Sequence, residues 1–344
     1  MSPQSRLRAP LFLTAAVSLT NGLSNILGDG SSIRRSTNAK TNAELISSLR
    51  ANFEQESTVS APQTNGNGNG TATPQKKKQH YKAWTKRSAD GTSLQIPTLD
   101  FHSSALQEER EQYDITLKLF YLPHGPTTTR AEQTRSALNL VLQELHMPSI
   151  DLLIVSFPGI YFDEQEDCPD KISTRGPVES EPEAIEGQIE AWKTLEELVD
   201  EGLVKRLGIA EFGAERLGQF LEGTRVRPSV DQINLRDCCS VPKDLMKLAK
   251  ARGVELLVHN DCSNILPRGT VRELLGPGES GAGVLAPASK AGDKRKSLHG
   301  ENGVAEGGLE GEIQPQWVVK YTAVVKNRGV VENKGYFACA ELEG

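Results

Sequence analysis

No CxxC pair occurs in the sequence, and its five cysteines (Cys168, Cys238, Cys239, Cys262 and Cys339) are odd in number and sparse. That excludes a zinc-ribbon site and a disulfide framework, and it fits a reducing, cytoplasmic setting. Aromatic residues are scarce at 5%, and hydrophobic ones reach only 37% beside 31 glycines and 18 prolines. Part of the 344-residue chain therefore lacks the apolar surface that folding requires. Basic charge is not in excess. A net charge of −6 excludes a general nucleic-acid binder, which needs a basic face against phosphates. No apolar run reaches the roughly 18 residues of a membrane span. The start, "RLRAPLFLTAAVSL", imitates a signal peptide but lacks a well-formed small-residue cleavage site. The alternative reading is an N-terminal strand pair, from Leu11–Val17 onward, tucked against the core. No GxGxxG dinucleotide fingerprint is present, and there is no internal repeat.

What is there divides into regular and irregular stretches. Residues 56–95 contain "TNGNGNGTATPQKKKQ", and residues 275–312 lack periodicity and almost lack large apolar residues. Both read as low-complexity inserts in a single domain spanning 1–344. Residues 162–183 form an acidic loop. The "KKK" and "KRK" clusters within the inserts read as solvated charge.

Between the inserts, strands alternate with helices. Ile115–Phe120 is a short apolar strand, followed by a helix over 130–146 with Thr127–Thr129 available as caps. The strand Leu152–Phe157 follows. A helix then carries Ile185, Ile189, Trp192, Leu195 and Val199 at steps of three and four. Strand Val204–Ile209, a short helix around Leu217–Leu221 and strand Val230–Leu235 come next. The helix of "VPKDLMKLAKARG" leads into strand Val254–His259, and Tyr321–Val325 is the last strand. Gly202 and Gly253 suit left-handed helix stops. Such an order implies parallel strands with right-handed crossovers, hence an α/β fold of the (β/α)8 TIM type. A functional site is then expected on the loops after the strands' carboxyl ends.

The segment "AWKTLEELVDEGLVKRLGIAEF" with "VRPSVDQINL" resembles the central part of the aldo-keto reductases. The resemblance implies hydride transfer from NADPH by a tyrosine acid, a lysine, an aspartate and a histidine. Of that tetrad only Lys118 stands at a matching position, in "ITLKLF". The histidine position is Ser156, and no Asp-x4-Tyr occurs upstream. Positions implied to hold the nicotinamide are Ala210 and Glu211, and the stacking tyrosine is replaced by His259; Gln232 is kept. Lys118 without its phenol is a remnant, so no catalytic residue is expected.

A second resemblance covers about residues 110–344 outside the insert, and more weakly 10–55. "DQINLRDCCSVPKDLMKLAKARGVELLVHNDCSNIL" and "WVVKYTAVVKNRGVVENKGYFACAEL" look like the modifier (regulatory) subunit family of glutamate–cysteine ligase. That family has an aldo-keto-reductase-like barrel without reductase activity. It implies a heterodimer with the catalytic subunit and tuning of γ-glutamylcysteine synthesis in glutathione biosynthesis. Rival readings are a working NADPH-dependent reductase and a non-catalytic NADPH-binding sensor. Lys326, Asn327 and Arg328, with Gln232, are the only residues offered for a residual nucleotide site. His259 and Cys262 have no second pair to complete a metal site, so none is expected. Cys238 and Cys239 follow a strand near Arg236 and Pro242, which favours thiolate, and they are the candidate contacts to the partner. No cofactor, nucleic acid or membrane is expected to be bound.

Overall fold

The computed structural model describes residues 8–17, 42–60, 76–102, 104–123, 125–162, 181–235, 240–262, 264–278, 280–287 and 307–343. In chain order the strands and helices begin with β1 (Arg8–Val17), α1 (Ala43–Ser57), β2 (Thr58–Ser60), β3 (Lys76–Lys78), β4 (Lys86–Arg87) and β5 (Leu94–Ile96). The regular part runs β6 (Tyr113–Tyr121), α2 (Arg130–Leu145), β7 (Ile150–Ser156), α3 (Ile185–Asp200), β8 (Val204–Ala210), α4 (Ala214–Gly223), β9 (Val230–Asn234), α5 (Lys243–Arg252) and β10 (Glu255–His259). It closes with α6 (Arg268–Leu275), β11 (Glu312–Val325) and β12 (Val330–Glu343).

The βα succession from β6 to β10 is the expected one. All four of its strand pairs are parallel. Helix α3 turns Trp192, Leu195 and Leu198 into the core, and α5 stops at Gly253 with φ 72°. Gly202, expected to stop α3, has φ 73°. Only glycine takes this conformation without strain. Ten strands share one sheet in the order β10-β9-β8-β7-β6-β11-β12-β1-β5-β4.

The C-terminal part departs from the sequence reading. Instead of one short strand at Tyr321–Val325, β11 and β12 form a hairpin of two 14-residue strands, turning at Gly329. Strand β11 lies antiparallel to β6, and β12 antiparallel to β1. Close packing shapes this hairpin: a Cβ on Gly335 would sit 2.5 Å from the Tyr321 hydroxyl.

Helices α2 to α5 cover one face of the sheet. Leu117, Leu119, Leu153, Val155, Ile209, Ile233, Trp317, Val319 and Phe337 are buried there. On the other face α1 and α6 pack with Leu11, Leu13, Phe120, Val318 and Ala338. The sheet is curled. Strands β6 and β10 stand four ladder steps apart, about 19 Å in a flat sheet. Yet Lys118 of β6 reaches Asp261, two residues past β10, at 3.2 Å.

Both insert boundaries move inward. Within 56–95, Tyr81, Trp84 and Leu94 are buried, so only 61–75 keeps the low-complexity character, and it lies outside the described residues. Within 275–312, Val284 and Leu285 are buried and Leu309 pairs with Leu285. Short apolar groups set between glycines were enough to pack both margins. The acidic run from 163 to 180 is likewise outside the described residues. No helix among the described residues is long and apolar enough to cross a membrane.

Candidate functional site

The carboxyl ends of β6 to β10 bring together Lys118, Glu211, His259 and Asp261, joined by Lys320 from the hairpin. The local cause begins with register. Lys320 on β11 stands directly opposite Lys118 on β6. Like charges facing each other across an antiparallel pair repel, and an ammonium buried without a counter-charge is costly. Asp261 answers both. Its Oδ2 accepts from Lys118 Nζ at 3.2 Å and its Oδ1 from Lys320 Nζ at 3.1 Å.

The loop carrying Asp261 is held in place by its neighbours. Asn234 Nδ2 donates to the Asp261 carbonyl at 3.2 Å, and the Asp261 N–H donates to His259 Nδ1 at 3.1 Å. The other ring nitrogen is Nε2. That nitrogen lies 2.6 Å from Glu211 Oε1, close in distance but out of line for a hydrogen bond. Glu211 follows β8 in a left-handed conformation, φ 69°, which is strained for a residue with a Cβ. Its N–H donates to the Gln232 carbonyl at 2.8 Å, and its Oε2 accepts from the Phe162 N–H at 2.9 Å.

Burial and charge set the electrostatics. Burial pulls the Lys118 pKa down, against the raising effect of Asp261 and Glu211. For Asp261 burial works upward, but Lys118, Lys320 and His259 together hold the carboxyl below its ordinary value. Behind the cluster Asp231 is fully buried, with one oxygen accepting from the Phe212 N–H at 3.4 Å and the other unpartnered. Burial, reinforced by Glu211, pushes its pKa well above the usual carboxylate range.

Two ammonium groups thus face two carboxylates, and their charges cancel. A carbonyl reductase needs a phenol whose pKa is lowered by an adjacent cation. Tyr336 stands opposite Lys320 on β12, and its pKa is moved the other way, by burial and then by Glu44 and Asp261. Ser156 ends β7, buried, in the implied histidine position.

The residues present do not fit a nicotinamide cofactor. Ala210 offers no hydrogen bond, Glu211 places a carboxylate there, and His259 is bound to the Asp261 backbone. Gln232 keeps an unpartnered buried oxygen but stands alone. Lys326, Asn327 and Arg328, the residues offered for a nucleotide site, do not join the cluster. They form the hairpin turn beside Tyr113 at the amino end of β6, about 26 Å along β11 from its pairing with Tyr121. There they bind the Glu111 carbonyl, Gln112 and Glu108. Cys238 and Cys239 lie outside the described residues. Among the described residues no group of His, Cys, Asp and Glu side chains is arranged to hold a metal ion.

Sequence reading isolated Lys118 and His259 but missed Glu211, Asp261 and Lys320 as their partners. A lysine set mid-strand in "WVVKYTAVV" was the available signal for Lys320, since an apolar strand keeps a charge only where a counter-charge meets it.

Comparison with known proteins agrees with this architecture. The sequence model of the aldo/keto reductase family matches residues 98–264. Over that stretch the fold is aldo-keto-reductase-like. A protein named putative glutamate–cysteine ligase regulatory subunit, from Schizosaccharomyces pombe, is 27% identical over 237 residues, covering 67% of this chain and 72% of its own. The Homo sapiens glutamate–cysteine ligase regulatory subunit is 26% identical, covering 69% of each chain. Aldo-keto reductase family 1 member A1 of Cricetulus griseus is 30% identical, but over 44% of this chain and 43% of its own. The chain is therefore similar to proteins named as regulatory subunits over most of its length and to one named as an aldo-keto reductase over less than half.

Proposed function

We propose that this chain is the non-catalytic regulatory subunit of a cytoplasmic glutamate–cysteine ligase, acting by binding the catalytic subunit. The observation that carries the reading is the match to named regulatory subunits across about two thirds of both partners. The site supports it. Lys118 is spent on Asp261, and Tyr336, the phenol opposite Lys320, is shifted away from acid catalysis. Regulation then requires that the subunit bind one state of the catalytic subunit more tightly than the other. A bound form that uses glutamate better, or that resists glutathione, is the state it would favour.

The test is co-purification with a glutamate–cysteine ligase catalytic subunit, followed by γ-glutamylcysteine synthesis measured over a glutamate series with and without glutathione. A stable complex with altered glutamate or glutathione dependence is expected. NADPH consumption with a panel of aldehydes, abolished by Lys118→Met, would overturn the reading in favour of a reductase.

A further inference from the structure

We infer that the outer edge of β10 is a docking edge for an extended, carboxylate-bearing segment of a protein partner; the inference rests on the proposed regulatory role. The ten-strand sheet ends at β4 on one side and β10 on the other. The two ends are built differently. Strand β4 is two residues long, Lys86 and Arg87, both exposed. Short, charged edges are how proteins keep other strands from adding to a sheet. Strand β10 has no such protection. Its five residues are Glu255-Leu256-Leu257-Val258-His259, and among the described residues it pairs only with β9.

Backbone polarity along β10 follows from one bond. The Glu255 N–H donates to the Ser229 carbonyl on the β9 side. In a parallel pair alternate residues turn their N–H and C=O to the same neighbour, so Leu257 and His259 also face β9. Leu256 and Val258 then turn theirs to the open edge. Val258 is 64% exposed, and Met246 on the adjoining α5 is 46% exposed. These are two of the four large apolar residues exposed among the described ones; the others, Val330 and Val331, lie in the hairpin at residues 330–331.

Charge selects the occupant. Exposed Lys243, Lys247, Lys250 and Arg252 line α5, against Asp244 on the same helix and Glu255 at the start of β10. A second copy docking edge to edge would bring two of these basic helices together. A segment with apolar residues at alternate positions and flanking carboxylates would instead gain main-chain hydrogen bonds, burial of Val258 and ion pairing with α5.

The test uses the full chain and the purified glutamate–cysteine ligase catalytic subunit. Val258→Pro removes an N–H that faces outward and leaves the ladder to β9 intact, and Val258→Glu adds a charge that repels carboxylates. Thermal melting checks that both variants remain folded. Each is expected to weaken the complex roughly tenfold or more, the loss of one or two interfacial hydrogen bonds and their apolar contact. The wild-type affinity is expected to fall with added salt. Wild-type binding that neither variant alters overturns the edge while leaving the regulatory role standing. No wild-type binding at all overturns the regulatory role itself. Self-association of the chain alone that Val258→Pro abolishes would assign the edge to a second copy and overturn the inference.

Discussion

Replacing Asp261 by Asn tests the account of the buried cluster most directly. The carboxylate accepts from both Lys118 and Lys320, at 3.2 and 3.1 Å, and the Lys118 side chain is 6% exposed. Asparagine keeps the shape and one acceptor but removes the charge. Two lysines facing each other across the β6–β11 pair then lose their shared counter-ion. Breaking a buried pair by removing one partner costs about 3–5 kcal/mol, and the retained amide oxygen places Asp261→Asn near the lower end, about 3 kcal/mol. Lys118→Met behaves differently. It takes away the buried charge together with its repulsion of Lys320, and Asp261 keeps Lys320. Apolar replacement of a buried ion is often neutral, so a change within about 1 kcal/mol is expected. In the double variant, Lys118→Met recovers part of the loss, a coupling of roughly 1–2 kcal/mol. Urea unfolding at neutral pH reads all three. Since the folded-state pKa of Asp261 is lowered, its contribution is present above the ordinary carboxylate range and lost as pH falls through that range and below. Asp261→Asn should therefore flatten the acid limb of the stability profile. Equal costs for Asp261→Asn and Lys118→Met, or no cost for either, would refute the bridging role.

Asp231→Asn should be as stable as the wild type at pH 7, or more so. A carboxyl with a raised folded pKa loses stability as pH rises from its unfolded value toward its folded one, so the advantage of Asn should shrink as pH falls toward 4, in pH-dependent unfolding. Deleting residues 288–306 should move the melting temperature by no more than about 2 °C, since closure entropy grows slowly with loop length. Deleting 280–310 also removes buried Val284 and Leu285 and should cost roughly 2–5 kcal/mol for each; similar melting curves for the two deletions would show that these residues are not core.

Local pattern was legible and distant pairing was not. Trp192 and Leu195 fell on the buried stripe of α3 because helical spacing is a property of neighbouring residues. Gly202 and Gly253 marked helix stops for the same reason. Strand β12 escaped because "YFACAEL" is buried on both faces, residues 336–340 all being buried, and so shows none of the alternation that marks a half-exposed strand. Asp261 could not be paired with Lys118 from sequence, since 143 residues separate them and only the curl of the sheet joins them. The same limit hid the position of Lys326, Asn327 and Arg328. Their basic character was visible, but the hairpin that carries them to the amino end of β6 was not.

The closed cluster and the open edge are consequences of one strand's position. Chemistry at the carboxyl end of this sheet would require Lys118 to leave Asp261 or His259 to turn from Glu211. The first move strands a charge in a buried setting. The same contacts fix the carboxyl end of β10: His259 lies against Glu211, and the following loop is tied by Asp261 to β6 and β11 and by its carbonyl to Asn234. An edge strand with one neighbour is ordinarily the part of a sheet most prone to fray. Here the residues of the buried cluster hold it in register, so a partner strand meets an edge whose ordering cost is already met.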